Sequence, residues 1–114
     1  YNLAMLLSRL RRFEEAKDHY HLAVAADGEF SEAYRQWGNL LRHLGQPAEA
    51  IERYESALAA DPANAQLHND WGELLATEGQ MKAAVAQFRR ALELVPDYPA
   101  ARENLRRAEM SLKR

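Results

Sequence analysis

Residues 31–64, SEAYRQWGNLLRHLGQPAEAIERYESALAADPAN, are followed by a second stretch of the same pattern at 65–98, AQLHNDWGELLATEGQMKAAVAQFRRALELVPDY. The two align without gaps at an interval of 34 residues, far beyond what unrelated stretches of this composition share. Ten positions are identical: Trp37/Trp71, Gly38/Gly72, Leu40/Leu74, Leu41/Leu75, Gly45/Gly79, Gln46/Gln80, Ala50/Ala84, Ala57/Ala91, Leu58/Leu92 and Pro62/Pro96. Residues 1–30 add ten more identities when laid on 35–64. A fixed period of about 20–50 residues is typical of chains built from stacked supersecondary units.

Each repeat predicts two amphipathic helices joined by a tight turn. Apolar residues recur every three or four positions in both halves of 31–64, which is the stripe of a helix that buries one face. Gly45 predicts a left-handed helix terminus, and Pro47 suits the first turn of the next helix. Asn64 is the predicted N-cap of the following helix.

Gly38 and Gly72 lie inside predicted helices, where glycine costs about 1 kcal/mol relative to alanine. Their shared register predicts a close approach of the paired helices at each glycine. The small residues Ala50 and Ala84 are expected to lie opposite and to permit that approach.

These residues resemble the tetratricopeptide repeat, a 34-residue helix–turn–helix unit. Counted from Ser31 and Ala65, the signature positions 8, 20, 24, 27 and 32 hold Gly38/Gly72, Ala50/Ala84, Tyr54/Phe88, Ala57/Ala91 and Pro62/Pro96. Two departures are the tryptophans at position 7 and the presence of Tyr34 and His68 at position 4. The first unit begins at position 5 and carries Ala4, Arg11 and Gly28 where the pattern has Gly, Gly and Pro.

The resemblance implies an all-α fold in which antiparallel helix hairpins stack into a right-handed α-solenoid. We expect one domain made of a truncated first unit (1–30), two full units (31–64 and 65–98) and a capping helix (99–114). In the last segment, Ala101, Leu105, Ala108 and Leu112 form one narrow apolar stripe among five basic residues that include Arg114. A terminal element of a solenoid needs one apolar and one polar face.

The first helix lacks such protection, because Leu3, Met5, Leu6, Leu7 and Leu10 cover much of its circumference. We therefore expect further repeats or another domain before Tyr1 in the intact protein. Self-association through this helix is a second expectation.

Composition excludes several classes of protein. The 114 residues contain 15 Lys+Arg and 17 Asp+Glu, a formal net charge of −2, so no nucleic-acid partner is expected. No cysteine is present, which excludes disulfide scaffolds and thiolate chemistry. The longest apolar runs span five residues, against about 20 for a membrane helix, so no membrane segment is expected. A cytoplasmic location is favoured.

The sequence contains no recognisable catalytic or metal-binding motif. His19 and His21 are two residues apart and diverge on a helix, whereas a helical metal pair needs a spacing of three or four. No phosphate-binding loop, dinucleotide fingerprint or nucleophile elbow occurs. We predict no active site, cofactor or metal site within this chain.

What the resemblance does imply is a groove lined by the first helix of each unit, chiefly through positions 2, 5, 9, 12 and 13. The predicted partner-binding residues are Met5, Arg9, Arg35, Asn39, Arg42, His43, Asn69, Glu73 and Arg107. Amides such as Asn39 can bond the backbone of an extended peptide, and arginines can pair with a carboxylate or phosphate. Replacing Arg35 and Asn39 by alanine is predicted to weaken partner binding with little effect on the thermal midpoint.

Members of this family that grip chaperone tails use five clamp positions, of which only Arg35 and Asn39 match here. Asp70, Ala100 and Asn104 occupy the other three, so chaperone-tail binding is not predicted. The sequence favours a non-catalytic scaffold that binds a peptide or protein segment in the groove. The alternative is the substrate-recruiting repeat region of a larger enzyme, such as a glycosyltransferase or sulfotransferase.

Overall fold

The computed structural model describes residues 1–27 and 30–113, which form seven α-helices and no strand. The helices are α1 (Asn2–Arg9), α2 (Phe13–Ala26), α3 (Ser31–His43), α4 (Pro47–Ala60), α5 (Ala65–Thr77), α6 (Met81–Leu94) and α7 (Pro99–Leu112). The predicted all-α class is therefore confirmed. Gly28 and Arg114, which the sequence comparison used, lie outside the described residues.

The chain forms two compact units, Tyr1–Pro62 with α1 to α4 and Ala63–Arg114 with α5 to α7. Three-residue connections join α1 to α2, α3 to α4 and α5 to α6, so each pair packs as an antiparallel hairpin. The predicted division into segments 1–30, 31–64, 65–98 and 99–114 stays a prediction.

Each unit buries one face of its helices. In the first unit Ala4, Leu7, Ala16, Tyr20 and Leu40 form a buried cluster that joins α1, α2 and α3. In the second unit the equivalent cluster joins α5, α6 and α7: Leu75, Ala84, Val85, Phe88 and Ala108. The alternation of small and large side chains lets the helices approach closely, and this packing holds the first helices of consecutive repeats side by side within each unit.

The two glycines inside helices, Gly38 and Gly72, each lie directly against an aromatic ring of the paired helix. A Cβ atom on Gly38 would lie 2.6 Å from Cε1 of Tyr54, and one on Gly72 would lie 2.5 Å from Cε1 of Phe88. Ala50 contributes only its backbone oxygen, at 3.3 Å from that Cβ position on Gly38. The expected close approach is present, but the ring at position 24 makes the closest contact, and the small alanine does not.

All three hairpin turns share one hydrogen-bond pattern, in which two backbone N–H groups donate back into the preceding helix. The N–H of Gln46 donates to the carbonyl of Leu41 at 2.9 Å, and that of Gly45 to Arg42 at 3.1 Å. This motif needs a left-handed residue just after the helix, and Gly45 (φ 74°) and Gly79 (φ 80°) supply it as predicted. Arg11 adopts the same conformation with φ 63°. Because Arg11 carries a side chain, its left-handed conformation strains the backbone at the first turn.

Predicted helix ends are confirmed at two positions. The side chain of Asn64 accepts a hydrogen bond from the backbone N–H of Leu67 at 3.1 Å, which makes Asn64 the N-cap of α5. Pro47 is the first residue of α4.

The predicted apolar stripe of α7 is buried over most of its length. Ala101 and Ala108 are buried, and Leu105 packs against the cluster of the second unit. Leu112 is 44% exposed, so the stripe ends before the last turn of the helix and that part of the prediction is wrong.

We expect Arg11→Gly to raise the free energy of unfolding by about 0.5–1 kcal/mol, because a left-handed conformation costs an L-residue more than glycine. Gly45→Arg is the matched reciprocal variant, since no atom lies within 4 Å of a Cβ built there and only the backbone is strained. The free energy of unfolding of Gly45→Arg should be lower by about 1 kcal/mol. Urea denaturation of both variants measures the effect, and equal stability of Arg11→Gly and the unaltered chain would contradict it.

Candidate functional site

The predicted partner-binding residues lie on the first helices of the repeats, in both units. Met5 and Arg9 are on α1; Arg35, Asn39, Arg42 and His43 are on α3; Asn69 and Glu73 are on α5, and Arg107 is on α7. Arg9, His43 and Arg107 are exposed, whereas Arg35 and Asn69 are buried. Their role in partner binding stays a prediction, but their surroundings differ sharply.

Arg35 is engaged within its own helix. The residue is 9% exposed, and its guanidinium donates from Nε to Oε1 of Glu32 at 3.1 Å and from Nη2 to Oε2 at 2.9 Å. Asn39, one turn further along α3, accepts a hydrogen bond from the Tyr54 hydroxyl. Removing both side chains would therefore disrupt buried interactions. The prediction that the double alanine variant has little effect on the thermal midpoint does not fit these contacts.

Asn69 lies at the centre of a polar network in the second unit and is 3% exposed. Its Oδ1 accepts a hydrogen bond from Nδ2 of Asn104 on α7 at 3.0 Å. Asn104 also donates to Oε1 of Glu73 at 3.1 Å, and the Nδ2 of Asn69 donates to the same oxygen at 3.3 Å. This network ties α5 to α7.

A cavity of about 280 Å³ opens between α1, α2 and α3 in the first unit. Phe13, Tyr20 and Leu40 give it an apolar and aromatic wall. Its polar lining comes from the end of α1, the following turn and α3: Ser8, Arg9, Arg11, Gln36, Asn39 and His43. The rings of Phe13 and His43 lie 5.8 Å apart between centroids, so these two side chains flank one rim of the cavity.

A cavity of about 310 Å³ occupies the equivalent place in the second unit, between α5, α6 and α7. Seven lining positions of the two cavities correspond at an interval of two repeat lengths: Ser8/Ala76, Arg9/Thr77, Phe13/Met81, Tyr20/Phe88, Gln36/Asn104, Asn39/Arg107 and Leu40/Ala108. The recurrence follows from the repeat, because equivalent backbone positions place equivalent side chains at the junction of consecutive first helices.

The charges around the two cavities differ. Arg9 and Arg11 line the first cavity, and no Asp or Glu does. The second cavity is lined by Glu73 together with Arg107. Within residues 1–27 and 30–113, neither Arg9 nor Arg11 forms an ion pair, whereas the adjacent Arg12 binds Glu15 through two hydrogen bonds of 2.8 and 2.6 Å. The first cavity therefore has a cationic rim and the second has a mixed one.

Tyr20 contributes a neutral phenol to the wall of the first cavity. Burial raises its pKa to about 12, and the neighbouring Tyr1 adds to the effect. Its hydroxyl consequently remains protonated, and able to donate a hydrogen bond, throughout the physiological range.

Ion pairs cover the outer face of α7. The hydrogen bond from Arg106 lowers the pKa of Glu103 to about 2, and Arg107 contributes through its Nε at 3.2 Å from Oε1. These groups are exposed, so each pair contributes little to stability. The predicted polar face of this helix is present in the described residues.

The N-terminal helix presents apolar side chains to solvent. Leu3, Leu6 and Leu10 are 48%, 49% and 57% exposed, while Leu7 is buried against α2 and α3. Leu40, the counterpart of Leu6 one repeat later, is 3% exposed because α1 and α2 cover it. Self-association through this face stays a prediction.

A sequence profile of the tetratricopeptide repeat matches residues 35–99, and a second profile of that repeat matches residues 1–30. The chain belongs to the tetratricopeptide repeat family. No curated protein sequence matches it significantly. Among the described residues of this tetratricopeptide chain, no helix is long and apolar enough to cross a bilayer, and no three potential metal ligands come together.

Solved structures of tetratricopeptide proteins superpose closely on the chain. The first tetratricopeptide domain of Spaghetti (RPAP3), bound to the HSP90 peptide SRMEEVD, has a TM-score of 0.92 at 19% identity, over 99% of this chain and 90% of that one. The type III secretion chaperone SycD of Yersinia enterocolitica, in complex with a peptide of the translocator YopD, has a TM-score of 0.88 at 19% identity, over 97% and 90%. At these identities the likeness establishes the fold alone.

A third similar structure is an enzyme. The O-GlcNAc transferase of Thermobaculum terrenum is 28% identical with a TM-score of 0.82, and the alignment covers 92% of this chain. The chain spans 20% of the length of that transferase.

Sequence reasoning missed several residues that line the tetratricopeptide cavities. Phe13 and Tyr20 belong to a second helix, and Gln36 and Asn104 are at position 6 of their repeats, outside the five positions considered. The repeat contained the signal, because Tyr20 and Phe88 share position 24 and Gln36 and Asn104 share position 6. Which position faces a cavity, however, depends on the neighbouring hairpin.

Proposed function

We propose that the chain is a non-catalytic binding module that docks a peptide or protein segment on the first helices of its tetratricopeptide repeats. The observation that carries this proposal is the recurrence of one cavity, with the same lining positions, in both units. Each cavity combines a buried aromatic side chain, Tyr20 or Phe88, with polar groups at its opening. That combination suits an anchoring side chain whose backbone bonds the surrounding amides.

The cavity size supports a peptide ligand. Volumes of about 280 and 310 Å³ are at the lower end of what binding sites for whole small molecules occupy. A single amino-acid side chain fits such a space better than an extended cofactor does. The peptides bound to the Spaghetti domain and to SycD, which share the fold, agree with this class of ligand.

Peptides selected from an unbiased phage-displayed library are expected to bind the chain with micromolar affinity. In nuclear magnetic resonance titrations they should shift the backbone amides of α1, α3, α5 and α7. Shifts confined to α4, or a selection that enriches no peptide, would contradict the proposal, because α2 and α6 also contribute to the cavity walls.

A matched pair of variants separates the cavity from the rest of the surface. Arg107 and Arg89 are both exposed arginines of the second unit with one carboxylate partner each, Glu103 and Glu109. Only Arg107 lines the cavity. For peptides that shift α5 and α7, Arg107→Ala should weaken binding at least threefold, and Arg89→Ala should leave it unchanged.

The second candidate is a substrate-recruiting repeat region of a larger enzyme, which the 28% identity to part of the Thermobaculum terrenum transferase favours. It predicts the same cavities but a different neighbourhood in the gene. A glycosyltransferase motif encoded in frame beside this segment would support the second candidate, and further repeats alone would support the scaffold.

A further inference from the structure

The first cavity differs from the cavity of the second unit at three positions, which hold an arginine or a histidine in the first unit only. Arg9 corresponds to Thr77, Arg11 to Gly79 and His43 to Ser111 at the same repeat positions. All three residues of the first unit line its cavity and are exposed, and no Asp or Glu is among the lining residues. The local potential at this opening is therefore positive, although the net charge of the whole chain is −2.

Arg11 occupies its position at a cost. The equivalent turns use Gly45 and Gly79, whose φ angles of 74° and 80° are natural for glycine. An arginine with φ 63° at this position destabilises the turn, and its side chain then lines the cavity without a carboxylate partner in the described residues. Strain of this kind persists where a side chain serves another purpose.

Neutral donors surround the same opening. Ser8 and Gln36 line the cavity, and Tyr20, whose side chain is neutral, belongs to its wall. Two guanidinium groups with hydroxyl and amide donors provide the hydrogen-bond pattern that an ionised carboxylate accepts.

We propose that the first cavity recognises an acidic peptide, with an Asp or Glu carboxylate of the partner bound by Arg9 and Arg11 and a neighbouring apolar side chain packed on Phe13 and Leu40. This inference rests on the proposed peptide-binding function and adds the charge of the partner to it. Exposed ion pairs are individually weak, so the apolar neighbour supplies much of the affinity and the arginines supply the preference. These arginines are at position 13 and in the turn, outside the positions matched by Arg35 and Asn39.

The test uses three capped synthetic versions of a peptide selected by the intact chain: one with its acidic residues, one with Gln or Asn in their place, and one with phosphoserine in their place. Fluorescence anisotropy should show at least tenfold weaker binding of the amide version. The affinity of the acidic version should fall several-fold between 50 and 300 mM salt, as for other charge-dependent contacts.

The variant Arg11→Gly is expected to stabilise the chain, so weaker peptide binding by this variant would not result from unfolding. The variant should bind the acidic peptide at least fivefold more weakly and bind the amide version with unchanged affinity. Arg12→Gln is the matched control, since Arg12 is the adjacent exposed arginine, pairs with Glu15 and does not line the cavity. It should change neither affinity by more than twofold.

Four outcomes would overturn the proposal. Selected peptides without Asp or Glu enrichment, or equal binding by the Arg11→Gly variant, would exclude acidic recognition while leaving peptide binding itself intact. Tenfold tighter binding of the phosphoserine version than of the acidic one would assign the cavity to phosphopeptides instead. If no peptide binds at all, both this inference and the proposed function fail.

Discussion

Gly72→Ala is expected to lower the free energy of unfolding by about 2 kcal/mol, although alanine is the better helix former by about 1 kcal/mol. The new Cβ would lie 2.5 Å from Cε1 and 2.7 Å from Cδ1 of Phe88. That ring is 1% exposed and belongs to the buried cluster of the second unit. Overpacking of this kind forces the two helices apart.

A double-mutant cycle in urea denaturation checks this cause. Phe88→Leu replaces the ring by a smaller side chain that lacks Cε1 and Cζ, so it should cost at least 1 kcal/mol less in the Gly72→Ala background than alone. Ala83→Gly, an exposed position of α6, is the control for helix propensity and should lose about 1 kcal/mol. If Gly72→Ala stabilises the chain, or if Phe88→Leu costs the same in both backgrounds, the contact does not explain the glycine.

Asn69→Asp is expected to destabilise the chain by about 3 kcal/mol at neutral pH. The substitution keeps the side-chain shape but places a carboxylate in a buried site. In the unaltered chain the Nδ2 of Asn69 lies 3.3 Å from Oε1 of Glu73, so the variant would bring two carboxylates together. Burial and the like charge raise the pKa of the new carboxyl above its value in the unfolded chain. Stability is then lost as pH rises from the unfolded pKa through the folded one, and the variant should recover at acidic pH relative to the unaltered chain.

Thermal unfolding of this variant between pH 3 and pH 7 measures the recovery. Gln66→Glu introduces the same charge on an exposed position of α5 and should show almost no pH-dependent difference. A loss for Asn69→Asp that is independent of pH would show that the lost hydrogen bond from Nδ2 of Asn69 to Glu73, and not the charge, dominates.

The sequence predicted the hairpin turns in detail because their determinants are local. A left-handed residue after the first helix and a proline at the start of the second are single-residue preferences. Gly45 and Pro47 satisfy them, and the N-cap at Asn64 follows the same logic. The exception, Arg11, adopts the glycine conformation because the Schellman hydrogen bonds of the turn require it.

The reason for the helical glycines was only partly predictable. Their register showed that something comes close, and both pairs, Gly38 with Tyr54 and Gly72 with Phe88, recur with the repeat. The sequence could not tell whether a ring or a small residue lies nearest, because that depends on the side-chain rotamer across the hairpin.

The candidate site was predictable at the level of the helix face and not at the level of single residues. Periodicity shows which side of α3 or α5 is apolar, so the opposite side is expected to be accessible. Arg35 and Asn69 are nevertheless buried, and they form hydrogen bonds with Glu32 and Asn104.

The 34-residue period, the seven-helix pattern in the described residues and the family are determined by the sequence itself, since each rests on preferences and spacings within a few turns of the chain. Only the tertiary structure decided which polar side chains are already bonded and which line a cavity. Asn104 reaches Asn69 across 35 residues of sequence, and each cavity draws its lining from three helices. Contacts of this range depend on how neighbouring hairpins pack, which a local pattern does not record.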